Sequence, residues 1–115
     1  MKPASAKAKG RRLQQHVRDR IRETFQLHED DVQSRSMGAG GEDIMLSPAA
    51  REAFPFSVET KNVQRLNVND AYSQAVENAG VHFPLLVHSR NRDRVLATLD
   101  FEHLLKLLLD ARSSL

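Results

Sequence analysis

The amino-acid sequence predicts an α/β (α+β) domain in which helices flank a mixed central sheet of about five strands, in the order αβββαββα. Three observations carry this. Apolar residues recur every four positions from Leu13 to Phe25, they alternate every two from Phe54 to Lys61, and glycine, proline or asparagine breaks stand between such segments. At 115 residues the chain is long enough for one core and too short for a second substantial domain.

Residues 1 to 9 contain Lys, Ala, Ser and Pro without apolar periodicity and are expected to form a flexible basic arm ahead of a single domain over 10 to 115. Leu13, Val17, Ile21 and Phe25 mark an amphipathic helix from about 11 to 27. A short strand around Val32 follows. The glycine-rich stretch Ser36-Met37-Gly38-Ala39-Gly40-Gly41 then turns the chain into a short strand over Asp43 to Leu46. Ser47-Pro48 opens a turn, and the next strand places Phe54, Phe56 and Val58 on one face with Ser57, Glu59 and Lys61 on the other. A second helix spans Asn67 to Gly80, with Asn69 as candidate N-cap, an apolar side of Ala71, Tyr72, Ala75, Val76 and Ala79, and Gly80 as its stop. Phe83 to His88 and Val95 to Leu99 form a hairpin around Asn91-Arg92-Asp93. Asp100 caps a last helix whose Phe101, Leu104, Leu105, Leu107, Leu108 and Leu109 are too many for one narrow stripe, so part of it is expected to meet another chain.

Composition sets outer limits. Hydrophobic residues make up 40% and charged residues 28%, the balance of a folded domain. The absence of cysteine excludes disulfides, thiolate zinc sites and cysteine nucleophiles and fits a reducing, cytoplasmic compartment. Neither Pro84 to Val87 nor Leu104 to Leu109 approaches the ~20 residues of a membrane span. No ligand spacing links the five histidines, so zinc is not expected. Net charge is +2, but Lys2, Lys7, Lys9, Arg11, Arg12 and Arg18 precede any acid, leaving 11 basic and 15 acidic residues for the remainder. A basic start on a mildly acidic body suits phosphate contact, and suits a solvated tail as well. Arg90, Arg92 and Arg94 likewise fit either DNA contact across a hairpin tip or a solvated loop.

The chemistry concentrates in Gly40-Gly41-Glu42-Asp43-Ile44 and Phe56-Ser57-Val58-Glu59-Thr60-Lys61. Glu59 and Lys61, two apart on a strand, share a face. If the strands of Asp43 and Glu59 pair as a hairpin centred near Arg51, the two carboxylates face each other at a Cβ separation of about 5 Å. Such a pair repels unless a divalent cation lies between, and two carboxylates with backbone carbonyl oxygens, that of Thr60 among them, are hard ligands suited to magnesium. Phosphodiester hydrolysis is the chemistry that follows, with Lys61 orienting the attacking water and offsetting charge on the phosphorane. Glycines ahead of Asp43 let a phosphate backbone approach without side-chain obstruction.

Asp43 after a glycine-rich turn, followed on the next strand by Glu59-Thr60-Lys61, resembles the PD-(D/E)xK nuclease pattern, and Lys9-Gly10-Arg11 opening the first helix resembles the small Holliday-junction resolvases of that superfamily. The resemblance spans Gly10 to Leu99. It implies a restriction-endonuclease-like core, magnesium (or manganese in its place) on Asp43 and Glu59, water activation by Lys61, and a homodimeric enzyme acting on branched DNA, with Lys7, Lys9, Arg11, Arg12 and Arg18 on the phosphates. Gln14 stands where those resolvases carry a helix glutamate, so it is a candidate catalytic residue that brings no charge to a second metal. Glu42 stands where the motif's name has proline. Gln74, on the helix after the lysine strand, is a candidate supporting residue. A RecB-like exonuclease or nicking enzyme would share these residues. An inactive DNA-binding module of the same fold would need neither acid, and a structural subunit would explain only the leucine-rich tail.

Overall fold

The structure is a computed structural model that describes residues 3–36 and 40–114. Helix α1 runs over Pro3–Phe25, beginning some eight residues earlier than apolar periodicity suggests, so Lys7 and Lys9 sit on its early turns. Lys2 lies outside the described residues, as do Met37, Gly38 and Ala39 of the glycine-rich stretch. Leu13, Val17 and Ile21 are buried, while Phe25 at the end of the stripe is 40% exposed and packs its ring on Phe54 at 6.0 Å between centroids. The helix ends because Gln26 turns left-handed (φ 53°) and Leu27 N–H donates back to the Arg22 carbonyl at 2.9 Å, the six-to-one closure of a Schellman end. Arg22 then donates to the carbonyls of Val32 and Glu29, tying the helix end to the strand that follows.

Strand β1 (Val32–Ser34) pairs antiparallel with β2 (Ile44–Leu46). The expected turn after Ser47 is instead a short helix, α2 (Pro48–Ala53). Its sequence explains it: the Ser47 hydroxyl caps Ala50 N–H, proline takes the first turn, and Ala49 to Ala53 contains only good helix formers. Strand β3 (Phe56–Asn62) runs parallel to β4 (Phe83–Ser89) through helix α3 (Val68–Ala79), and β4 turns back antiparallel into β5 (Leu96–Thr98). Asn67, not Asn69, caps α3, accepting from Asp70 N–H, and Gly80 ends it at φ 57°. The buried face of α3 is narrower than expected, Ala71, Ala75 and Ala79, with Val76 half exposed. Small residues let the helix lie close on the sheet.

The element order is therefore αββαβαββα, and the sheet is not one of five strands but a pair and a triplet, β1-β2 and β3-β4-β5. The hairpin expected around Arg51 does not form, because Arg51 belongs to α2 and the chain rises out of the sheet between β2 and β3. One backbone bond joins the two sheets, from Asp43 N–H to the Val58 carbonyl at 2.8 Å. The core gathers Leu13, Val17 and Ile21 with Val32, Ile44, Val58, Leu85 and Val87. Helix α3 covers the opposite face of β3 and β4. Asp100 caps α4 (Phe101–Ser113), which buries none of its side chains; Phe101, Leu105, Leu108 and Leu109 are exposed.

Candidate active site

β3 is an edge strand of its sheet, and Asp43 meets it on the open side. The chain reaches that position through Gly41, whose φ of 92° disfavours any side chain and where a Cβ would stand 3.4 Å from the Arg35 guanidinium. Arg35 donates to the Glu42 carbonyl, and the Glu42 carboxylate pairs with Arg51, itself bonded to the Phe56 carbonyl. Glu42 thus fastens the approach to Asp43.

Five hydrogen bonds fix Asp43 itself. Its N–H donates to Val58; its carbonyl accepts from Arg35 N–H at 2.8 Å and from the Gln14 amide at 3.0 Å. Its Oδ2 accepts from the Thr60 N–H at 2.7 Å and the Thr60 hydroxyl at 3.1 Å, while Oδ1 has no hydrogen-bond partner among the described residues. An oriented carboxylate with one oxygen uncommitted is what a cation or a water molecule requires.

Glu59 projects from the other face of β3 and is 8% exposed. The Asn78 amide of α3 donates to its Oε2 at 3.1 Å, and Lys61 Nζ stands 4.0 Å from its Oε1. Burial, reinforced by the negative charge of Asp43, holds the Glu59 carboxyl above its ordinary range, with Asn78 and Lys61 pulling the other way. Asp43, Glu59, Thr60 and Lys61 line one cavity of about 150 Å³ together with Gly10, Gln14 and Ser36. The two acids come together there not as facing residues of a hairpin but through one strand and a loop laid along its edge.

Gln14 is 3% exposed and spends its amide on the Asp43 carbonyl, so it positions the loop and lines the cavity. Gln74, the candidate supporting residue, is exposed and does not line the cavity; the α3 side chain that bonds to Glu59 is Asn78, one helical turn on and three residues from buried Ala75. That spacing beside the alanine stripe is the signal for Asn78. Of the basic residues, Lys7 and Arg11 lie within about a quarter turn of the Gly10 and Gln14 side of α1, whereas Arg12 lies nearly opposite. Lys9 contributes its carbonyl to the Asn62 amide, and Arg18 is paired with Asp19 at 2.8 Å. Asp43 and Glu59 are two acids rather than three, and no group of three or more metal-ligating His, Cys, Asp or Glu occurs among the described residues. No family model, curated protein or solved structure matches the chain.

The raised Glu59 carboxyl has a consequence for stability. In the folded state its charged form is penalised relative to the unfolded chain, so the penalty is absent below the unfolded value, grows as pH rises through the folded one and is complete above it. Glu59→Gln, which keeps an acceptor for Asn78, is expected to raise the melting midpoint by a few degrees at pH 7 in chelator and to leave it unchanged near pH 3. Thermal melts at the two pH values check this; a midpoint at pH 7 equal to or below that of the parent contradicts it.

Proposed function

We propose that the protein is a magnesium-dependent endodeoxyribonuclease that hydrolyses DNA phosphodiester bonds, with branched DNA such as a four-way junction as its substrate. The observation that carries the reading is the convergence of Asp43, Glu59 and Lys61 on one small polar cavity at a sheet edge. The donor set fits magnesium: hard carboxylate oxygens, one of them unengaged, and a charge repulsion between Asp43 and Glu59 that a cation relieves. Asp43 and Glu59 would hold the ion, with the Thr60 carbonyl as a candidate third donor, and manganese would serve in its place. Once bound, it would supply the electrophilic assistance on which phosphodiester hydrolysis draws.

The remaining parts belong to the chain. Lys61 brings an ammonium to the cavity, where it orients a water for attack and offsets charge that builds on the phosphoryl oxygens. Thr60 and Gln14 keep Asp43 from swinging away, and Asn78 does the same for Glu59. Gly10 lines the cavity with no side chain of its own, and Lys7 and Arg11 lie near that side of α1.

Symmetric cutting of a junction calls for two such sites related by a two-fold axis, so a homodimer is part of the proposal. No helix among the described residues is long and apolar enough to cross a membrane, and the exposed Phe101, Leu105, Leu108 and Leu109 of α4 are apolar surface available to a second subunit. The test is cleavage of four-way, flap, linear duplex and single-stranded DNA by purified protein, with magnesium and with chelator, alongside light scattering for mass. Magnesium-dependent cuts placed symmetrically about the four-way branch are expected. Absence of cleavage on every substrate overturns the enzyme reading; attack on free ends alone would replace it with an exonuclease.

A further inference from the structure

Past Lys61 the chain enters a second, larger hollow that the catalytic proposal does not use. Parallel strands β3 and β4 end together, with Lys61 beside His88 and Asn62 beside Ser89. The segment after β3 and the β4–β5 turn then enclose a cleft of about 600 Å³, lined by Arg65, Arg90 and Arg94 with Gln64 and His88 among others. An adjoining hollow adds Arg92. Asp93 is the single acid in either, and it is taken by Arg90 at 3.1 Å. Arg65, Arg92 and Arg94 make no side-chain hydrogen bond or ion pair among the described residues, although each is exposed. Arg65 and Arg94 on the cleft, with Arg92 on the adjoining hollow, bring more positive charge there than Asp93 offsets, and that excess suits an anion.

The cleft is built, not left over. Asn62 accepts from Asn91 N–H and donates to the Lys9 carbonyl, so one side chain joins the end of the catalytic strand, the arginine-bearing turn and the start of α1. Val63 N–H closes on the Ser89 carbonyl, and the Ser89 hydroxyl donates to the Asp93 carbonyl inside the turn. Arg92 is held left-handed at φ 65°, a conformation that non-glycine residues seldom adopt. Open α/β sheets bind ligands beyond the carboxyl ends of their parallel strands, and this is that end of β3 and β4.

We infer that the cleft binds the phosphodiester backbone of the DNA strand on one side of the cut, as a phosphate subsite beyond the strand end that carries Lys61. The inference rests on the nuclease reading for its ligand and not for its charge. Lys61 pairs across the sheet with His88, and His88 lines the cleft, so the strand end that carries Lys61 adjoins it. The cleft is therefore placed to meet the strand flanking the scissile phosphate. Guanidinium groups suit phosphate oxygens because they donate two parallel hydrogen bonds. Contacts of this kind position the strand without reading its sequence.

The experiment is fluorescence anisotropy of a four-way junction in chelator over a salt series, with Arg65→Gln/Arg94→Gln and Lys61→Ala beside the parent, and cleavage with magnesium measured in parallel. The arginine pair is exposed, and circular dichroism melts equal to the parent's establish that its fold is kept. The pair is expected to weaken junction binding at least tenfold at 0.1 M salt and to flatten the log–log salt slope by about two, one for each phosphate that the variant leaves unneutralised. Lys61→Ala is expected to keep the parent's slope within one. An arginine pair with the parent's affinity and slope overturns the subsite. Because binding is measured without metal, a parent that binds but never cleaves, with the slope still falling in the pair, refutes the nuclease reading and upholds the cleft as a nucleic-acid site.

Discussion

Lys61→Ala is expected to lower the single-turnover rate of magnesium-dependent junction cleavage by about 10²-fold or more, because loss of one preorganised electrostatic group costs about 3 kcal/mol in the barrier. Stability should hardly change. At 4.0 Å and one-third exposed, the contact of Lys61 with Glu59 is at the limit of an ion pair, and such pairs contribute about 0.2–1 kcal/mol to folding. The barrier effect therefore wins. A second consequence separates the two roles of the ammonium. Lys61 is one of the groups that lower the Glu59 carboxyl, so its removal lets Glu59 rise further. The acid limb of the pH–rate profile should then move to higher pH, as a proton competes more strongly with metal for Glu59. Rates taken at saturating magnesium and above that limb isolate the transition-state part. A rate within twofold of the parent under those conditions removes Lys61 from the chemistry.

How far the sequence carries can be seen from particular residues. The two-residue alternation around Glu59 and the four-residue period of Leu13, Val17 and Ile21 place β3 and α1 correctly, because both patterns are set by the face that must be buried. The Asp100 cap and the Gly80 stop are local backbone chemistry and stand as expected. The failures at the site are relations between elements, while the early start of α1 and the Asn67 cap are local misses. A hairpin is the shortest way to bring Asp43 to Glu59, but Ser47-Pro48 nucleates a helix, and the contact is made instead by Asp43 reaching along the β3 edge to Thr60. The Ser47 cap and the helix formers of Ala49 to Ala53 are legible there, but Ser-Pro also opens turns, which is why a turn is expected at that point. Asn78 is not legible beside Glu59, because only the packing of Ala71, Ala75 and Ala79 decides which side of α3 overlooks that residue. Gln14, placed in the site by resemblance, does reach it, though as a donor to the Asp43 carbonyl.

Asp43 should prove the least replaceable residue, and its two duties can be parted by choice of substitution. Oδ2 receives both donors of Thr60 at the open edge of β3, and Oδ1 has no hydrogen-bond partner among the described residues. Asp43→Ala leaves the Thr60 N–H without its partner, so about 1–3 kcal/mol of stability should go together with the acid. Asp43→Asn keeps a carbonyl oxygen for Thr60 and removes only the charge. It also removes the repulsion that helps to raise Glu59. The asparagine variant should therefore melt in chelator at or above the parent. Magnesium at a hundred times its dissociation constant should stabilise the parent by about 2.7 kcal/mol and leave the variant unmoved. Cleavage should fall by at least about 10³-fold, since a lost carboxylate takes the cation's contribution with it. Junction binding in chelator should tighten, because one negative charge facing phosphate has gone. Melting curves with and without magnesium, set beside anisotropy and cleavage on one four-way junction, test all four outcomes. An asparagine variant that cleaves within twofold of the parent, or that magnesium stabilises as much as the parent, places the metal elsewhere.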